Sequence, residues 1–286
     1  MAIPTPKSRN LNPGTILKNF EVYLYAKCGL GDTTIANYIS TMRRVFPMLG
    51  VRPTPLAVDK YIAKMRKDGA STSHVANTSI ALERYGAYMG ISIHLARPKS
   101  SYRMIQGTLT EAEMARFIGA ADTIRERSIL ALLAFSGGRN LETCNLHCSD
   151  IDPINSTVTF RATKPGKGHA VRLAAPCLAL MVEYLQYRKG NAEDPLFVTA
   201  RHGHQMQPQD IRKLVRAVAK RAGLQKRVYP HLIRHSLGTN LLLRGTGLLA
   251  IQDALGHVFL TTTLRYLHSN PAAKAREYVY NAPAYL

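Results

Sequence analysis

Acidic side chains are scarce in this 286-residue chain: 18 Asp and Glu stand against 38 Lys and Arg, a formal charge of +20. The excess is shared, because residues 1–100 hold 14 basic and 5 acidic side chains and leave 24 and 13 for residues 101–286. Positive charge in both halves excludes a basic tail as its source. It points to a polyanion that touches both, and nucleic acid ranks ahead of an anionic membrane surface or mere solubility. Cysteine is sparse too. Cys28, Cys144, Cys148 and Cys177 are too few and too scattered for a disulfide framework, so free thiols in a reducing compartment are expected. No apolar run approaches the ~18 residues that span a bilayer, and the first twelve residues are polar, so neither a secretory signal nor a membrane partner is expected. Internal repeats and long low-complexity tracts are absent. What is present is an ordinary apolar fraction of 46%, enough for one or two domains with real cores.

Residues 15–95 read as helices with short polar breaks. Ile16, Phe20, Tyr23 and Leu24 recur at helical spacing, as do Ile35, Tyr38, Ile39, Met42 and Phe46 after the Asp32-Thr33 start signal. Leu56, Val58, Tyr61 and Met65 mark a third helix ended by Gly69, and residues 73–88 a fourth. Arg43, Arg44, Lys64 and Lys67 punctuate these helices as candidate DNA contacts, with a solvated face as the competing reading. A linker composition follows near residues 97–108. Beyond it, Thr110 with Glu113 is a capping-box signature for a helix through Ala120, and a second helix over 124–136 ends at Gly137-Gly138. Alternation resumes at 150–173, where Lys164-Pro165-Gly166-Lys167-Gly168 interrupts two short strands, a β-hairpin with a basic tip. Helices are expected again over 176–188 and 211–222 and from near Pro230, Leu248 and Thr261. The fold class is mainly α with a small β-sheet.

Pro230 suits the first turn of a helix, so His231, Arg234 and His235 in H-L-I-R-H share one face. Two histidines four apart can ligate zinc, but the Glu of H-E-x-x-H is missing and a cation projects between them. Cys144, His147 and Cys148 fall within one helical turn with no second ligand pair, and are read as a buried structural helix rather than a metal site. Downstream, Leu255-Gly256-His257 closes a helix and Tyr266 follows nine positions after His257.

The run over residues 231–268, H-L-I-R-H-S-L-G-T-N-L-L-L-R-G, then I-Q-D-A-L-G-H and T-T-T-L-R-Y-L-H, resembles the C-terminal signature of the tyrosine recombinases, the phage-integrase and Xer-like family. Upstream, F-S-G-G-R-N-L-E-T resembles the turn that carries the family's first catalytic arginine, Arg139, with Glu142 at the usual acidic position. The hairpin supplies the family's lysine, Lys164 or Lys167, with Lys164 favoured by its place in T-K-x-G. Gly138 in place of Leu, Leu141 in place of a small polar residue, and Gly238 with Asn240 depart from the pattern without removing a catalytic side chain.

The resemblance implies a flexible tail at 1–13, a helical core-binding (SAM-like) domain at 14–98, a linker at 99–107, a catalytic domain of the DNA breaking-rejoining fold at 108–270 and a tail at 271–286 that docks in trans. It implies a site-specific recombinase with catalytic residues Tyr266, Arg139, Lys164, His231, Arg234 and His257, and with Lys167 among the DNA contacts. A tyrosine has an ordinary pKa near 10, so positive surroundings or a base must help it attack. Neither cofactor nor divalent metal is implied. The implied partners are double-stranded DNA, a homo-tetramer on paired sites formed from a monomer or dimer free in solution, and an accessory directionality factor. The implied location is the cytoplasm, at the nucleoid, of a prokaryote or its virus or mobile element. Two rival readings share the charge: a non-catalytic architectural DNA-binding protein on the same fold, and relaxation of the type IB topoisomerase kind.

Overall fold

The computed structural model describes residues 12–96, 107–161 and 168–256. They fall into two compact units, one within Met1–Ser101 and one within Tyr102–Leu286.

The first unit consists of helices α1 (Pro13–Ala26), α2 (Asp32–Leu49), α3 (Pro55–Lys67) and α4 (Thr72–Met89). Three of the four starts are fixed by side chains: Asn12, Thr54 and Ser71 each accept a backbone N–H of the first turn. Pro13 and Pro55 take first-turn positions, where a missing N–H costs nothing. The apolar stripes meet in one core that includes Phe20, Leu24, Ile35, Met42, Val58 and Leu82. Tyr85 lies at its centre, and its hydroxyl donates to the Val51 carbonyl at 2.6 Å, which satisfies the one polar atom the ring brings inside. Leu56, expected on the inward face of α3, instead faces solvent.

The second unit opens with α5 (Glu111–Gly119), and its capping box is complete: the Glu113 N–H donates to Thr110 Oγ1 and the Thr110 N–H to Glu113 Oε2. Helix α6 (Ile124–Ser136) is buried along Ser128–Ala134 and packs against α5, α8 (Ala175–Arg188) and α10 (Pro230–Leu243). It has no solvated stripe because it is the centre of the unit. Antiparallel strands β1 (Ile151–Asp152), β2 (Thr157–Phe160) and β3 (His169–Arg172) form a sheet in that order. Helices α9 (Pro208–Arg221) and α11 (Leu248–Leu255) complete the unit, after the short helix α7 (Asn140–Cys144). The point where the chain enters this unit is tied to α10. The Leu109 N–H donates to Ser236 Oγ at 2.8 Å, and Asn240 Nδ2 donates to the Leu109 carbonyl at 3.2 Å.

Three further sequence expectations change. The hairpin over 150–173 is part of a three-stranded sheet, because the residues before it pair as β1. Cys144, His147 and Cys148 do not share a helix: α7 ends at Cys144, and a separate 3-10 turn spans Cys148–Asp150. Helix α9 starts at Pro208, three residues before the first apolar position, because Gln207 and Asp210 cap it. The helix expected from Thr261 lies outside the described residues.

Candidate active site

Helix α6 ends on Gly137, whose left-handed φ of 61° turns the chain sharply. Gly138 follows, and Arg139 then becomes the N-cap of α7 in an extended conformation. Glu142 reaches back to it twice: the Arg139 N–H donates to Glu142 Oε2 at 2.8 Å and the guanidinium Nη1 to Oε1 at 2.6 Å. The Glu142 side chain is 7% exposed and the Arg139 side chain 45%, so a buried carboxylate fixes Arg139 while its side chain stays open to a ligand. The departure at Gly138 has a local cause. A Cβ there would stand 2.6 Å from the ring of Phe160, which is fully buried in β2 and has nowhere to move.

Pro230 starts α10 as expected, and His231 is exposed in its first turn. The His231 and His235 rings meet edge to face with centroids 4.6 Å apart. Arg234 lies on the inner side, 3% exposed. Its Nη1 donates to the carbonyl of Gly137 and its Nη2 to the carbonyl of Leu255 at the end of α11. Burying a guanidinium demands such acceptors. Gly137 is kept free of a Cβ by more than its φ, since one would meet Leu255 Cδ2 at 2.7 Å. The structure therefore brings Arg139 and Arg234 onto the same turn.

A residue the sequence reading missed, His169 on β3, joins this group. Its imidazole is held below the ordinary histidine value by burial; Glu142 pulls the other way, and Arg139 and Arg234 reinforce the lowering. The signal for it was weak, a lone histidine just after the basic run.

Lys164, Lys167, His257 and Tyr266 lie outside the described residues, as does the tail at 271–286. Among the described DNA candidates, Arg43, Arg44, Lys64 and Lys67 are exposed. Arg44 lines a polar groove of about 340 Å³ between α2 and α4, together with Asn37, Thr41, His74 and Asn77; the other three do not line it. Periodicity could not reveal that groove, because its residues are uncharged or isolated. Helix α9 presents a second basic face that sequence reading passed over: Arg212, Lys213, Arg216 and Lys220 are all exposed, on the side opposite Ile211, Leu214, Val215 and Val218. Among the described residues no group of histidines, cysteines and carboxylates could hold a metal ion, and no helix is long and apolar enough to cross a membrane.

The sequence model of the phage integrase family matches residues 107–273, which include the whole arginine pocket. The chain belongs to the phage integrase family. Across 88% of both chains it is 32% identical to tyrosine recombinase XerA of Pyrococcus horikoshii, and over 94% of its length 25% identical to tyrosine recombinase XerD of Bifidobacterium longum. A crystal structure of XerA recombinase aligns over 96% of this chain and all of that one, with 29% identity and a TM-score of 0.57. XerH site-specific recombinase bound to its difH substrate shares the fold at a TM-score of 0.74 and 20% identity over 95% of this chain and 86% of that one. Family members of this kind are DNA strand-transferring enzymes that use no metal, and site-specific recombination of DNA is the activity that membership gives this chain.

Proposed function

We propose that the chain cuts and rejoins duplex DNA through a 3′-phosphotyrosine formed by Tyr266, and exchanges strands through a Holliday junction within a homo-tetramer on paired sites. The observation that carries this reading is the shared turn of Arg139 and Arg234: two permanent cations, one fixed by Glu142 and one by two carbonyls. Such a pair suits the two non-bridging oxygens of one phosphate, and it is most useful when charge grows on them.

The step balances without a metal. The Tyr266 oxygen bonds to phosphorus while the bond to the 5′-oxygen breaks; His231 accepts the phenolic proton and Lys164 delivers one to the leaving oxygen. His257 gives the phosphate a further hydrogen bond. The ester keeps the energy of the broken bond, so a 5′-hydroxyl from another strand reverses the attack without ATP. The polar groove of the first unit and the basic face of α9 supply DNA contacts, the first with side chains able to reach base edges and the second with charge for the backbone. The protein acts in the cytoplasm of a prokaryote or of the host of a virus or mobile element, with an accessory factor setting direction.

The test uses nicked duplexes from the DNA flanking the gene, in EDTA, with wild-type protein and Tyr266→Phe. A denaturation-resistant adduct on the 3′ side of the break, formed by wild type and absent in the variant, is the expected result. Tight binding with no adduct on any nicked duplex would favour an architectural protein and overturn the assignment, as would an adduct that survives Tyr266→Phe.

A further inference from the structure

Phe160 and His169 stand directly opposite each other in the β2–β3 register, with ring centroids 5.2 Å apart. Each presses on a glycine. Phe160 lies against Gly138, and His169 against Gly256, where a Cβ would come within 2.5 Å of the imidazole. Gly138 is the neighbour of Arg139, and Gly256 follows Leu255, whose carbonyl holds Arg234. The ring pair thus fills the space between the backbone that carries one arginine and the backbone that anchors the other. Polar bonding does not account for one side of the imidazole: its Nε2 is shut off from solvent and has no hydrogen-bond partner among the described residues. A buried polar atom left in that state calls for a reason.

We propose that His169, backed by Phe160, is a positioning residue for the arginine pair: its ring is the wedge on which the end of α11 closes, and so it sets where the Leu255 carbonyl holds Arg234. The inference rests on Arg139 and Arg234 being the phosphate clamp. His169 acts through shape and touches no reacting atom. It serves in the neutral form. Among the described residues the charged groups that face it are Glu142 on α7, Arg139 at the cap of α7 and Arg234 on α10, while β2 and α11 present Phe160 and Gly256, which carry no charge. Two cations against one carboxylate, with burial, oppose a third positive charge there. Acid that protonates the ring unseats the wedge, so the contribution of His169 is present above the ordinary histidine value of 6.5 and is lost as pH falls through its lower folded value.

The experiment is single-turnover adduct formation by the full chain at saturating nicked duplex from pH 5 to 8. The proteins are wild type, His169→Leu, His169→Ala, Gly256→Ala and the double His169→Ala/Gly256→Ala. Leu is close in volume and cannot titrate, so it should keep the rate at pH 7.5 within about threefold. The ratio of the His169→Leu rate to the wild-type rate should climb as pH falls below 6.5. His169→Ala, with DNA affinity unchanged, should be about 10- to 100-fold slower, the scale of a clamp displaced by a fraction of an ångström. Gly256→Ala should be slow as well and partly recovered in the double variant, where the missing ring makes room for the methyl group. A wild-type rate in His169→Ala, or losses that multiply in the double variant, would overturn the inference; so would a pH-independent ratio for His169→Leu. Should His169→Ala fail to fold, that ratio decides alone. No adduct from wild type, or one that persists in Tyr266→Phe, marks instead the failure of the underlying reading.

Discussion

Arg234 donates a hydrogen bond to the carbonyl of Gly137, two residues before Arg139, so the two guanidiniums share one short stretch of backbone. A shift in either is felt by the other. That coupling makes the pocket a unit whose parts cannot be exchanged one at a time for residues of like charge.

Arg234→Lys tests this. A single ammonium cannot bond the Gly137 and Leu255 carbonyls in the planar fork the guanidinium uses. Adduct formation should fall by about 10²-fold or more while bulk DNA affinity changes little. Single-turnover cleavage beside a filter-binding titration separates the two quantities.

Glu142→Gln leaves the shape and removes the charge. The amide offers one acceptor where the Arg139 N–H and Nη1 need two, and it turns a donor toward a donor. Urea unfolding should show a loss of about 1–3 kcal/mol, and cleavage should slow along with it.

Gly138→Ala forces a methyl group into the Phe160 ring. The expected destabilisation is about 1–3 kcal/mol. Phe160→Leu in the same chain should return part of it, and the four proteins form a double-mutant cycle whose coupling term measures the contact.

On α9, changing Arg212, Lys213, Arg216 or Lys220 to Ala should weaken DNA binding about evenly across sequences. Each change should reduce the slope of log K against log salt by about 1 where that residue meets a phosphate. All four are exposed, so thermal stability should stay within about 0.5 kcal/mol of wild type.

Lys226 donates to Glu113 Oε2 at 2.7 Å and to the Thr108 carbonyl at 2.9 Å. That bond, with the backbone N–H of Thr110, holds the Glu113 carboxyl below its ordinary value of 4.5. A carboxyl lowered in the folded state adds stability above the unfolded value and loses it as pH falls through the folded one. Wild type should therefore lose stability below about pH 4.5 more steeply than Lys226→Met. Thermal unfolding from pH 6 to pH 3 gives the comparison.

The first four helices were legible because their apolar stripes are local, and α5 because the Thr110–Glu113 box acts within one turn of the helix it starts; Thr54 and Ser71 cap α3 and α4 in the same local way without having been singled out in the sequence. The end of α6 was legible for the same reason, since Gly137 closes it. Helix α7 and strand β1 were not, since five and two residues are too few to set a period and both exist through their neighbours. Arg139, His231 and Arg234 could be named from their resemblance to the family's motifs. The rest of the pocket is long-range: the carbonyl of Leu255 is 21 residues from Arg234 and that of Gly137 is 97 away. His169 escaped because its importance comes from what packs on it, Gly256 and Phe160, and no spacing encodes that.

The bond from the Leu109 N–H to Ser236 has a mechanical meaning. The hydroxyl of Ser236 also donates to the Leu232 carbonyl, and Asn240 closes a second link to Leu109, so the strand of chain entering the unit is stitched to the helix that bears Arg234. Leu109 is thereby pinned to α10 at two points on successive turns, and the buried Arg234 lies on that same helix.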